Sequence, residues 1–287
     1  MKRLEALLVR LGFGLLRRLR PETASNLGGA IACAIGPRLP VSRVADMNLR
    51  RALPDMTERQ RRAVIRDVWE NLGRTVGEMP HVGGFGPTPS GPGWEVEGAE
   101  NLAGIDGPAV LFSAHIGNWE VMPRAAVVHA TGFASFYRAA DNAAVDAIIV
   151  GMRSQATGGQ PQFAKGAAGA RAALAHLLAG GCVGLLADQK LNDGIPAPFF
   201  GRMAMTAPAP ATLALRFKCP LIPGHCVRIA PARFRVSVEN PLPHPATGDR
   251  KRDVAELTAA MNETIERWVR ETPGQWLWLH RRWPKEG

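Results

Sequence analysis

Apolar positions along this chain change their period once. Over residues 2–19, Leu4, Leu7, Leu8, Leu11, Leu15 and Leu19 recur at helical spacing with arginines between them, which predicts an amphipathic helix. Segment 23–36, with Ala-Ile-Ala-Cys-Ala-Ile at 30–35, predicts a second helix beside it. Residues 41–53 and 57–80 also read as helices, and Thr57-Glu58-Arg59-Gln60 is a capping box for the latter. The Gly/Pro-rich stretch 83–93 ends this helical part. Short apolar runs then alternate with helical ones. Strands are expected at 94–97, 109–114, 133–137, 182–187, 220–229 and 233–239. Helices are expected at 118–130, 142–154, 168–179, from Thr206 to about 217, and at 251–271, with a long loop over 188–205. Such alternation predicts an α/β fold: a mostly parallel central sheet flanked by helices, with a basic helical N-terminal extension. The boundaries expected are a basic amphipathic, membrane-associating region over 1–82 and an α/β domain over 94–287.

Charge sharpens this division. Residues 1–74 hold 15 Lys and Arg against 7 Asp and Glu, a net of +8 out of +10 for the 287-residue chain, whereas 75–249 are balanced at 12 against 12. A neutral body with a basic N-terminal quarter points to an anionic surface. With aromatics at 6% and no zinc-finger, recognition-helix or aromatic RNA-binding pattern, phospholipid is a better fit than nucleic acid. No run of about 20 uncharged apolar residues is present, so an interfacial helix is expected rather than a span. The alternative is that the leucines pack on the domain. The four cysteines form no CxxC pair and are expected to be reduced thiols, and no metal-ligand spacing completes a site.

The candidate chemistry lies at His115-Ile116-Gly117-Asn118-Trp119-Glu120, after the apolar run 109–114. Residues five apart do not share a helical face. His115 and Glu120 therefore meet only if the histidine sits between a strand's carboxyl end and a helix, with Gly117 turning the backbone. A general base, an orienting carboxylate and free helix N–H donors would then converge, as acyl transfer to a hydroxyl requires. A second His-x4-acid match, His244 to Asp249, lies in a proline-rich loop and reads as solvated. There is no Gly-x-Ser-x-Gly elbow, which argues against a serine hydrolase.

The hexapeptide at 115–120 resembles the signature of the late acyltransferases of lipid A biosynthesis, the lauroyl/myristoyl transferase family. The resemblance extends in order through Asn48-Leu49-Arg50-Arg51, Trp69-Glu70-Asn71-Leu72-Gly73-Arg74 with Glu78, Tyr137-Arg138, Asp141-Asn142, Asp188-Gln189, Pro198-Phe199-Phe200-Gly201 and Gln275 to Trp283. It implies transfer of a fatty acyl chain from acyl carrier protein to a hydroxyl of a lipid A precursor, at the cytoplasmic face of the inner membrane. His115 would be the base and Glu120 its charge partner. No protein nucleophile is needed, because the thioester is already activated, and no cofactor is expected. Other acceptors in contention are a lysophospholipid, an ornithine lipid or another glycolipid. A non-catalytic peripheral membrane protein is the reading from a different class.

Further candidates have two readings each. Arg138, after an apolar strand, suits a phosphate or carboxylate of the acceptor, or pairs with Asp141. Asp188 and Gln189, after strand 182–187, neighbour Arg138 or the acceptor, or cap a loop. Asn118 binds the donor carbonyl or N-caps the helix. Lys165 and Arg171 contact lipid phosphates or the acidic carrier protein, or are solvated. Trp276, Trp278 and Trp283 form a membrane-interface patch or a C-terminal core anchor.

Overall fold

Seven strands form the central sheet of the protein, whose computed structural model describes residues 2–103, 105, 107–129 and 132–284. They are β1 (Gly93–Glu97), β2 (Ala109–Ser113), β3 (Phe133–Tyr137), β4 (Gln162–Ala164), β5 (Cys182–Leu186), β8 (Leu221–Ala230) and β9 (Arg233–Val238), in the order β1-β9-β8-β2-β5-β3-β4. Every adjacent pair is parallel except β8–β9. The central strand β2 is buried on both sides, as parallel strands under helices must be. Helices α5 (Val121–His129), α6 (Ala143–Ala156), α7 (Ala167–Leu178), α8 (Ala209–Phe217) and α9 (Arg250–Glu271) flank the sheet. The fold is thus α/β with a mostly parallel sheet, as the alternating pattern predicts.

Three strands escape the sequence pattern. The stretch expected as a loop over 188–205 contains a separate hairpin, β6 (Ile195–Phe199) and β7 (Arg202–Thr206). Pro196 and Pro198 disguise it. In a two-stranded hairpin their exposed positions need no ladder N–H, so proline is tolerated. Thr206 closes β7, and α8 starts three residues later than expected. The three-residue strand β4 is too short to show a period.

Four helices precede the sheet: α1 (Lys2–Leu16), α2 (Pro21–Ile35), α3 (Ser42–Ala52) and α4 (Glu58–Glu78). The capping box on α4 is formed, with Thr57 and Gln60 satisfying one another's backbone groups. Helices α2 and α4 cross at very close range, because a Cβ at Gly28 would lie 2.2 Å from the Gly73 carbonyl oxygen and one at Gly73 equally close to that of Gly28. The core does not stop at the 83–93 stretch. Leu49, Val64, Ile65 and Val68 share one cluster with Val110, Phe112, Trp268 and Trp276. Helix α1 buries none of its residues. Its Leu4, Leu7, Leu8, Leu11 and Leu15 are all more than half exposed, and Leu27, Ile31 and Ile35 of α2 are exposed too. No helix among the described residues is long and apolar enough to cross a membrane.

Candidate active site

Strands β2 and β5 run parallel with Ser113 opposite Leu186. His115 and Asp188 each lie two residues beyond those strand ends, so the register sets them side by side at the carboxyl edge of the sheet. His115 Nδ1 meets Asp188 Oδ1 at 2.8 Å, and the His115 backbone N–H donates to Oδ2 at 3.0 Å. Trp276 Nε1 donates to the same Oδ2 at 2.7 Å. Asp188 has no solvent exposure. Burial raises its pKa, but the charge and hydrogen bonds of His115, with the charge of His280, outweigh burial and hold the carboxyl well below its ordinary range. An ionised Asp188 fixes the proton on Nδ1 and leaves Nε2 as the basic nitrogen. Gln189 Nε2 lies 3.5 Å from His115 Nε2, too far for a strong bond.

This geometry corrects the expected pairing. The carboxylate on His115 is Asp188, and Glu120 lies elsewhere. Glu120 Oε2 and Oε1 accept from Arg153 Nε at 2.8 Å and Nη2 at 2.6 Å, a two-pronged ion pair. Burial depresses the Arg153 pKa, but the bonds and charge of Glu120 more than reverse that, and Asp146 and Tyr137 add to the rise. Sequence reasoning missed Arg153. The signal available was a lone arginine in the apolar helix α6. Only the packing of α6 beside the 115–120 turn gives it meaning.

Most of the backbone N–H groups expected to be free at this turn are already bonded. His115 N–H bonds Asp188, and Ile116 N–H bonds the Ala114 carbonyl. Gly117 N–H bonds the Gln275 carbonyl, Glu120 N–H bonds Asn118 Oδ1, and Val121 N–H bonds the Asn118 carbonyl. Asn118 therefore acts as a cap. Its fully buried amide also donates to Glu78 Oε2 at 2.7 Å, so it does not reach a donor carbonyl. Gly117 is required: its φ is +58°, and a Cβ there would lie 2.1 Å from the Cys226 carbonyl oxygen.

His115, Trp119, Glu120 and Arg153 all line a cavity of about 1100 Å³. That is at the upper end of ligand pockets, roughly 300–1,000 Å³. The rest of the lining is largely apolar, including Leu111, Met122, Phe133, Phe136, Leu213 and Val236. Arg138, Gln189, Lys165, Lys190 and Arg216 supply polar and cationic lining. Arg138, Lys165 and Arg216 are exposed. Arg171 is exposed on α7 and is not part of the cavity lining. His244 is exposed, and Asp249 caps α9 instead of pairing with it. The C-terminal tryptophans resolve to the core reading, since Trp276 and Trp278 have no exposure and Trp283 has 4%.

An oriented imidazole beside a deep apolar cavity with a cationic lining suits proton removal from a hydroxyl next to a long acyl chain. No curated protein matches the chain. Among solved structures, the 1-acyl-sn-glycerophosphate (LPA) acyltransferase of Thermotoga maritima is similar at 12% identity and a TM-score of 0.39, over 93% of this chain and 98% of that one. The family model for bacterial lipid A biosynthesis acyltransferases matches residues 3–285. The chain belongs to that family, and the enzyme is an acyltransferase.

Proposed function

We propose that the enzyme moves a fatty acyl chain from the thioester of acyl carrier protein to a hydroxyl of a lipid A precursor. His115 Nε2 takes the hydroxyl proton as the oxygen attacks the thioester carbonyl. The tetrahedral adduct collapses, the carrier thiolate leaves, and the imidazolium returns the proton to it. Asp188 holds the imidazole and stabilises its charged form. The Glu120–Arg153 pair presents a fixed dipole to the adduct. The apolar cavity takes the acyl chain, and Arg138, Lys165, Lys190 and Arg216 face the anionic groups of the acceptor and carrier. Arg171, outside the cavity, is left to the carrier protein's acidic surface.

The observation that carries this reading is His115, held by the buried Asp188, in the lining of a large and mostly apolar cavity, in a chain of this family. The exposed leucines of α1, with Arg3, Arg10, Arg17, Arg18 and Arg20 around them, support peripheral docking on an anionic membrane, here the cytoplasmic face of the inner membrane. The test incubates membranes carrying the enzyme with mixed acyl carrier protein thioesters and purified lipid A precursor, then identifies products by mass. The expected product is the precursor plus one acyl group, absent with His115→Ala. Acylation of a co-purified phospholipid or ornithine lipid in its place would move the acceptor to that class.

A further inference from the structure

Behind the catalytic turn, away from the cavity, one face of α4 carries Asn71, Thr75 and Glu78, spaced so that their side chains line up. Each holds the turn. Asn71 Nδ2 donates to the Gly117 carbonyl at 2.8 Å, and Thr75 Oγ1 donates to the same oxygen at 3.2 Å. Glu78 accepts from Asn118 Nδ2 at 2.7 Å. The same three side chains are gathered from the other side by one guanidinium. Arg228 Nε donates to Asn71 Oδ1 at 3.0 Å, its Nη2 to Thr75 Oγ1 at 3.2 Å, and its Nη1 to Glu78 Oε1. Arg228 is itself fixed. Its backbone exchanges two bonds with the Gln275 side chain, at 2.8 and 3.0 Å, and its guanidinium lies 5.1 Å from the centre of the Phe234 ring. The side chain is 8% exposed, and Arg228 does not line the catalytic cavity.

We infer that Arg228 is a positioning residue for acyl transfer: it holds Asn71 and Thr75 in the rotamers that support the 115–120 turn, and it pairs with Glu78, which Ser25 Oγ and the Ala232 N–H also hold, at 2.6 and 3.0 Å. The logic is a saturation of donors and acceptors. Thr75 Oγ1 accepts from Arg228, and that bond orients the hydroxyl so that its one hydrogen goes to the Gly117 carbonyl. The Asn71 amide points its nitrogen at Gly117 because its oxygen is taken by Arg228. Remove the fork and both groups are held less firmly: Thr75 keeps only its bond to Gly117, and Asn71 only the amide bonds to the Gly117 and Gln275 carbonyls, at 2.8 and 3.2 Å. The turn they release carries His115 two residues before Gly117 and Glu120 two residues after Asn118. A displacement of about 1 Å at reacting groups costs on the order of 100-fold in rate, whereas a substrate pocket built from other walls keeps its affinity. A lysine at 228 keeps the charge beside Glu78 but cannot bond all three partners in one plane.

This inference rests on His115 being the base, and the experiment separates the two. Arg228→Lys, Thr75→Val and the double variant are assayed beside wild type and His115→Ala, with acyl carrier protein thioester as donor, reading kcat, donor KM and thermal unfolding. Arg228→Lys is expected to lower kcat at least about 10-fold while donor KM stays within about 3-fold. Thr75→Val is expected to lower kcat in the same way, and the double variant by less than the product of the two, because both act through one carbonyl. A merely structural arginine would lower the unfolding temperature and leave kcat of the folded enzyme unchanged. Wild-type kcat in Arg228→Lys overturns the inference. If that variant does not fold, wild-type kcat in Thr75→Val does so. Activity surviving in His115→Ala overturns the assignment of the base instead.

Discussion

His115 and Asp188 stand 73 positions apart in the chain and 2.8 Å apart in the fold. Their meeting needs no long-range coincidence beyond the β2–β5 pairing, because each lies two residues past opposed strand ends. Asp188→Asn is expected to lower kcat by about 10²–10⁴-fold with the cavity intact, since an amide no longer fixes the Nδ1–H tautomer or stabilises the imidazolium. Steady-state kinetics of the folded variant check this. A kcat within threefold of wild type would show that His115 works without a carboxylate.

Glu120 and Arg153 are expected to behave as a unit. Glu120→Gln leaves a guanidinium unpaired in the cavity wall, and Arg153→Lys loses the two-pronged geometry. Each is expected to cut kcat/KM at least about 10-fold, and the double variant to be no worse than the poorer single one. His244→Ala, in an exposed loop, is expected to leave the rate unchanged. Additive losses in the double variant would separate the roles of the pair.

Gly117→Ala puts a Cβ into the Cys226 carbonyl in a left-handed conformation. Left-handed backbone alone costs a non-glycine residue roughly 1–2 kcal/mol, and the clash adds to it. Chemical denaturation is expected to show a loss of at least about 2 kcal/mol, with little activity in the folded remainder.

Acid is expected to weaken the fold through His225. Its ring is buried against Trp268, with centroids 4.5 Å apart, and burial pulls its pKa down from 6.5 to about 4. The depressed value means that the unfolded chain binds the proton first. Stability is then complete above pH 6.5 and falls as the pH drops toward 4, by up to about 3 kcal/mol from this group. His280, depressed by burial as well, acts in the same direction. Unfolding temperatures of wild type and His225→Gln, measured from pH 7.5 to 4, should converge toward the acid end. Parallel curves would assign the acid sensitivity elsewhere.

Membrane docking through residues 2–20 is expected to depend on the leucines of α1 and on the arginines within and just after it. Reversing Arg10, Arg17, Arg18 and Arg20 to glutamate is expected to release much of the protein from anionic vesicles, at on the order of 1 kcal/mol for each basic residue near the surface. High salt is expected to release less, because the leucines stay seated. Activity on detergent-dispersed acceptor should persist. Undiminished sedimentation with vesicles after the four reversals would place the anchor outside residues 2–20; the buried C-terminal tryptophans are not available for it.

Local patterning determined most of the elements and the placement of His115 just past a strand's carboxyl end. The 109–114 run followed by Gly117 marks a strand end and a turn, because strand period and glycine freedom are properties of a few neighbouring residues. The capping box of α4 and the amphipathic face of α1 are legible for the same reason. Tertiary structure alone decided who partners whom. Glu120 is close to His115 in sequence, yet the turn sends its carboxylate to Arg153 on α6, while parallel strand register delivers Asp188 to the imidazole. The prolines of β6 hide a hairpin whose pairing tolerates them. The tryptophans at 276–283 read equally as interface or core until β2, α9 and β6 close around them. Hydrogen-bond partners and burial are set by elements distant in sequence, and a local pattern holds no information about which of them arrive.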